Sequence, residues 1–186
     1  MKVLLLDNFD SFTYNLFHYL EALDCDVTVA RNNAISIDEI ASFDKIVLSP
    51  GPGLPSEAGL LMEIIQSYAP FKPMLGVCLG MQALGEYFGG TLYNQSTVKH
   101  GIAEKCQHGQ ESKLFDKVPE IFEVGLYHSW AVDISKTADL KATAFSENEV
   151  LMAFEHKNLP IYGVQFHPES LMTVNGKLII QNFIEI

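Results

Sequence analysis

Apolar residues gather in short runs along the first half of the chain, separated by polar turns. Residues 2–6 (KVLLL) make one such run, of a length suited to a buried strand. Beyond it Phe12, Leu16, Tyr19, Leu20 and Leu23 recur at three-to-four spacing. That spacing predicts a helix with one apolar face reaching Leu23, with Asp10 or Ser11 as its cap. The pattern then predicts a strand over 27–29, a short helix near 37–41 and a strand over 45–48. A helix over 58–68, a strand over 73–77 and a helix over 79–88 follow. Alternating β and α elements imply parallel strands joined by crossovers. From residue 91 to 166 the periodicity changes to short alternating runs at 122–126, 131–134, 150–154 and 161–166. These predict antiparallel or mixed strands that extend the same sheet. A last helix over 176–184 closes the chain. The expected fold is a three-layer α/β arrangement, flavodoxin-like, with a mixed, mostly parallel central sheet and flanking helices.

Composition narrows the class. The chain has 186 residues, 48% of them hydrophobic and 19% charged, which suits one globular domain over residues 1–186. A net charge of −11 repels phosphate backbones, so nucleic acid is not an expected partner. No apolar run approaches the ~18 residues that cross a bilayer. The opening run is too short for a signal sequence, and a cytoplasmic location without membrane contact is expected. Three cysteines, Cys25, Cys78 and Cys106, are an odd, sparse set that predicts free thiols.

Chemistry enters at the strand ends. In an open α/β sheet, ligands bind beyond the carboxyl ends of the strands. Gly76-Val77-Cys78-Leu79-Gly80 has the form of a nucleophile elbow with cysteine in place of serine. The sharp strand-to-helix turn leaves no room for side chains at the two glycines. The partial positive charge of a helix N-terminus favours thiolate at Cys78, and the Leu79 N–H points toward an oxyanion formed there. A small buried core cysteine is the alternative reading. A nucleophile needs a base. Of six histidines, His167 ends an apolar strand in GVQFHPES. If that segment is extended, His167 and Glu169 point to one side, and Glu169 can fix the imidazole tautomer. The alternative is an exposed His-Pro-Glu turn. Ser49-Pro50-Gly51-Pro52-Gly53 follows another strand; its glycines let backbone approach a ligand and Gly53 can supply a second oxyanion donor. Read alone, it is a tight turn.

Taken together, SPGPG, GVCLGMQ and GVQFHPES resemble, in order, the motifs of the triad (class I) glutamine amidotransferases. LLLDNFDSFTYNL and YHSW narrow the resemblance to the glutaminase components of anthranilate synthase and aminodeoxychorismate synthase. It runs over essentially the whole chain. It implies that Cys78, His167 and Glu169 form a catalytic triad that hydrolyses L-glutamine through a γ-glutamyl thioester. It also implies that Gly53 and Leu79 hold the oxyanion, and that Gly51, Pro52, Gly53, Gln82, Ser129 and Trp130 bind glutamine. Ammonia would pass to a chorismate-binding synthase subunit (component I), whose second active site this chain is too short to contain. No cofactor is implied for this chain, and Mg2+ only in that partner. Anthranilate synthase in tryptophan biosynthesis is the leading expectation; aminodeoxychorismate synthase in folate biosynthesis, or service to both, is the alternative. A γ-glutamyl hydrolase or cysteine peptidase, and a non-catalytic glutamine-sensing module, are readings of other classes. Two positions depart from the family: Met81 stands where relatives often carry His, and Trp130 where many carry Leu.

The remaining candidates read as structural. Asp7, Asn8 and Asp10 suit capping and loop hydrogen bonds better than a metal. Cys25, His18 and His128 are expected to support structure. His100, Cys106 and His108 lack zinc spacing and a fourth ligand; His100 and Gly101, by the family's arrangement, are candidates for partner contact. No metal site is expected.

Overall fold

A computed structural model describes residues 1–109 and 111–186. Its centre is a nine-stranded sheet in the order β2-β1-β3-β4-β9-β8-β7-β5-β6. The strands are β1 (Lys2–Asp7), β2 (Asp26–Arg31), β3 (Lys45–Leu48), β4 (Met74–Val77), β5 (Thr91–His108), β6 (Ile121–Asp133), β7 (Leu140–Ser146), β8 (Leu151–His156) and β9 (Ile161–Val164). From β2 to β9 every neighbouring pair is parallel. Beyond β9 the pairs are antiparallel. The helices are α1 (Thr13–Glu21), α2 (Leu61–Tyr68), α3 (Leu79–Tyr87) and α4 (Gly176–Glu185).

Period-two alternation assigns the layers. On β1, Val3 and Leu5 pack with Leu16 and Leu20 of α1 and Ile179, Ile180 and Phe183 of α4. Leu4 and Leu6 face the other way, into a cluster with Ile64 of α2 and Leu84 of α3. Each of these leucines is fully buried, worth roughly 1.5–3 kcal/mol of transfer free energy per side chain. Both faces of the parallel half are thus covered, which explains its near-continuous apolar runs. The three-layer α/β fold with a mixed, mostly parallel sheet is as expected.

Several local expectations need correction. α1 begins at Thr13, its N-cap position is Phe12 and no side chain caps it. Asp10 instead accepts the Phe12 N–H at 2.8 Å, an Asx turn that leads into the helix. α1 ends at Glu21, short of Leu23. The short helix near 37–41 is a 3-10 turn, Asp38–Ser42. The helix expected from residue 58 starts at Leu61, after a 3-10 turn at Pro55–Glu57. Two strands, β5 and β7, were not anticipated. β5 is the longest strand, 18 residues with most side chains exposed and irregular register near Asn94/Lys99 and His100/Ile102. A strand that buries so little has no reason to alternate apolar and polar residues. The runs at 122–126 and 131–134 belong to one strand, β6, which carries YHSW across its middle.

Among the described residues no helix is long and apolar enough to cross a membrane.

Candidate active site

β1, β3, β4 and β9 run parallel and end on one edge. The residues that follow those ends are the motifs picked out above, so the topology collects them.

Cys78 adopts φ 51°, ψ −103°, a conformation that costs a non-glycine residue about 1–3 kcal/mol. Its backbone N–H donates to the Val164 carbonyl at 2.8 Å, tying the elbow to the end of β9. The steric reason for the flanking glycines is direct. A Cβ on Gly76 would lie 2.4 Å from the Gly80 carbonyl, and one on Gly80 would lie 2.5 Å from the Leu48 carbonyl. Leu79 is the first residue of α3, where backbone N–H groups have no intrahelical acceptor.

The SPGPG loop is pinned beside this elbow by the N-terminal motif. Ser49 Oγ accepts the Asn8 N–H at 2.8 Å, Asn8 Nδ2 donates to the Ser49 carbonyl at 2.8 Å, and Asn32 Nδ2 donates to Asn8 Oδ1 at 3.0 Å. Asp7 Oδ1 accepts from the Phe9 N–H and the Thr13 hydroxyl, each at 2.9 Å. Asp7, Asn8 and Asp10 therefore spend their side chains on loop hydrogen bonds. No cluster of three or more metal-ligating side chains occurs among the described residues.

His167 and Glu169 meet as expected, Nδ1 to Oε1 at 2.7 Å, both buried. The backbone route differs from the extended one anticipated: the chain turns, and the Ser170 N–H donates to the His167 carbonyl at 3.2 Å. Pro168 lies within that turn. The His167 ring is held edge-on against Tyr127, centroids 4.8 Å apart, and against Phe12 at 5.7 Å. Its Nε2 is buried and makes no hydrogen bond of ordinary geometry among the described residues. Burial opposes a charge on this ring, but the neighbouring Cys78 sulfur and the Glu169 carboxylate outweigh it, and the His167 pKa is raised. The site thus favours an imidazolium between a sulfur and a carboxylate, the state that delivers a proton to a leaving group.

A cavity of about 220 Å3 lies over Cys78. Gly51, Pro52, Gly53, Cys78, Gln82, Ser129 and Trp130 all line it, joined by Tyr127 and His128. A larger groove of about 1090 Å3, lined by Glu111, Glu120, Lys141 and Glu147 among others, contains no cysteine and lies away from the elbow. Gln82 Nε2 donates to the Trp130 carbonyl at 3.0 Å and to Gln165 Oε1 at 3.2 Å. Trp130 O also accepts from His128 Nδ1 at 2.8 Å. A carbonyl can only accept, so if that nitrogen carries the proton the Gln95 amide, 2.9 Å from it, turns its oxygen toward the ring. Burial, above all, lowers the His128 pKa, which keeps the ring neutral. Met81 is fully buried, and a Cβ on Gly163 would meet its Cγ at 2.8 Å. Its place is in the packing of α3 on β9.

Tyr127 and Gln165 were not singled out from the sequence and Phe12 only as part of a helix face, although all three lie inside quoted motifs. Gln165 lies in the same quoted motif as His167, one residue past the end of β9. Tyr127 and Phe12 approach His167 only through tertiary packing.

His100 is exposed, its ring edge-on to Tyr127 with centroids 5.5 Å apart, whereas Cys106 and His108 are buried further along β5. Burial pushes the Cys106 thiol up to about 12, and burial also raises half-buried Cys25. Iodoacetamide at pH 7.5 is therefore expected to modify native protein at Cys78 first, Cys25 slowly and Cys106 only after unfolding, read by peptide mass mapping. Modification of Cys106 in native protein would contradict this burial.

Comparison with known proteins agrees with the geometry. The profile of the family described as glutamine amidotransferase class-I matches residues 4–186. The chain belongs to the class-I glutamine amidotransferases. Among its relatives, anthranilate synthase component 2 of Thermus thermophilus is 42% identical over 190 residues, covering 100% of this chain and 92% of that protein. Anthranilate synthase component 2 of Pyropia yezoensis is 42% identical over 187 residues, covering 98% of each. The crystal structure of a glutamine amidotransferase from Thermotoga maritima superposes with a TM-score of 0.82 at 15% identity, over 100% of this chain and 96% of that one. At that identity the likeness is one of fold.

Proposed function

We propose that this chain is the glutaminase component of an anthranilate synthase, hydrolysing L-glutamine at Cys78 and delivering ammonia to a chorismate-using component I. The observation that carries the chemistry is the strained Cys78 elbow beside a buried His167–Glu169 pair, opening on a cavity of about 220 Å3. The pathway rests on full-length relatives named anthranilate synthase component 2.

In the first step the Cys78 sulfur attacks the side-chain amide carbon of glutamine, forming a C–S bond and pushing electrons onto oxygen. The N–H groups of Gly53 and Leu79 hold that oxyanion. His167, protonated and steadied by Glu169, gives its proton to the amide nitrogen as the C–N bond breaks, releasing ammonia. Water then attacks the thioester with His167 as base, the C–S bond breaks, and glutamate leaves. Gln82, Ser129, Trp130 and the Gly51–Gly53 backbone hold the substrate head group. These steps require no metal or cofactor in this chain; on this reading Mg2+ serves the chorismate site of the partner.

The test measures glutamate release with and without a component I and chorismate, together with the product formed. Glutamate release that rises with the partner, accompanied by anthranilate, is expected. Aminodeoxychorismate as product would move the chain to the folate pathway. Hydrolysis of γ-glutamyl peptides with no response to the partner would overturn the proposal.

A further inference from the structure

Gln165 is fully buried, and its backbone N–H is fixed on the Met152 carbonyl at 2.8 Å. Its side chain ends between two residues of the site. Nε2 donates to Cys78 Sγ at 3.5 Å, and Oε1 accepts from Gln82 Nε2 at 3.2 Å. The orientation of both amides follows from one carbonyl. Trp130 O can only accept, so Gln82 turns its nitrogen to Trp130 and donates its second proton to Gln165. Gln165 must then give its oxygen to Gln82 and its nitrogen to the sulfur. With both protons of Gln82 Nε2 committed, the group Gln82 has left for a ligand in the cavity is its carbonyl oxygen.

We propose that Gln165 is a positioning residue for the reaction: it holds the Cys78 sulfur by an N–H···S bond and locks Gln82 with its acceptor toward the substrate. This rests on the function proposed above. No bond is made or broken at Gln165. An N–H donor on sulfur favours the thiolate that attacks, while the locked Gln82 meets an N–H group of the substrate. Two steps of the chemistry, attack and binding, share one buried amide.

Two variants separate the halves. Gln165→Glu keeps the shape and the acceptor for Gln82, but replaces the donor on sulfur by a negative charge. Gln165→Met keeps the length and removes both contacts. The first readout is the pH midpoint of Cys78 alkylation by iodoacetamide, scored by peptide mass on folded protein. His167, with Glu169 behind it, also faces the sulfur and is unchanged in both variants. The midpoint is expected to rise in both, further in Gln165→Glu. The second readout is glutaminase kinetics. For Gln165→Glu, kcat is expected to fall about tenfold to a hundredfold with KM within about twofold of wild type. Gln165→Met adds a rise in KM. A merely structural amide would change melting temperature and leave the alkylation midpoint of the uncharged variant where it was, and that result in folded Gln165→Met overturns the proposal. If Gln165→Met does not fold, Gln165→Leu removes the same two contacts without a charge and decides the matter, since the charge in Gln165→Glu moves the midpoint by itself. Alkylation needs neither glutamine nor a partner. If wild type hydrolyses no glutamine, the functional reading fails while the alkylation arm still judges Gln165.

Discussion

Replacing Cys78 by alanine is expected to lower glutamine-dependent product formation by about 10⁴-fold or more, while ammonium salt supplied directly restores product to the wild-type rate. The two halves of that result come from different parts of the chemistry. Without sulfur there is no thioester, and neither the Gly53 and Leu79 N–H groups nor the His167–Glu169 pair can replace the C–S bond. Free ammonia bypasses the chain altogether, so the partner's own reaction continues as long as the complex holds. Cys78→Gly should lose the same activity yet unfold at a higher temperature than Cys78→Ala. Alanine keeps a Cβ at φ 51°, whereas glycine relieves a strain of about 1–3 kcal/mol. Product formed from glutamine at more than a few per cent of wild type by Cys78→Ala would contradict covalent catalysis at this residue. Equal melting of the alanine and glycine variants would contradict the strain.

The parallel half of the sheet and the motifs at its edge were legible because both faces of those strands are buried, so apolar runs mark them. The elbow could be read for a related reason: only glycine fits where Gly76 meets Gly80 and Gly80 meets Leu48, and such demands leave letters in the sequence. β5 left none, since it buries little and its register shifts. The pairing of His167 with Glu169 was anticipated for the wrong backbone reason. Period two places both side chains on one side of an extended strand, but a turn at Pro168 brings them together instead. Spacing constrained which residues could meet, and the tertiary turn decided how. Gln165 shows the converse. Its place beside the motif histidine was legible, but nothing in one sequence says that a buried glutamine amide ends on a sulfur. The glutamine contacts named from family motifs all line one cavity, whereas the aromatic rings that hold His167 come from β6 and the start of α1, more than a hundred residues apart in the chain.

The start of α4 bears on the site through a single contact. A Cβ on Gly176 would lie 1.7 Å from the Pro168 carbonyl oxygen and 2.6 Å from its carbon. No rotamer relieves such a clash, because the neighbour is backbone. That backbone joins His167 to Glu169. It is held from the other side as well: Thr173 Oγ1 donates to the His167 carbonyl at 2.7 Å and accepts the Gly125 N–H at 2.9 Å. Gly176→Ala must therefore push α4 outward or shift the His-Pro-Glu turn. Overpacking of this kind costs about 1–3 kcal/mol, occasionally more, and a clash this deep belongs at the upper end. If the turn yields, Nε2 moves relative to Cys78, and a displacement of about 1 Å at reacting groups can cost on the order of a hundredfold in rate. The expected outcome is a lower melting temperature together with a kcat reduced by about tenfold to a hundredfold in the protein that remains folded. Gly109→Ala is the control, since a Cβ there meets nothing within 4 Å, and it should match wild type in both measurements. A Gly176→Ala variant with wild-type melting and turnover would mean that α4 does not press on the turn, and that the His167–Glu169 geometry is held by β9 and Thr173 alone.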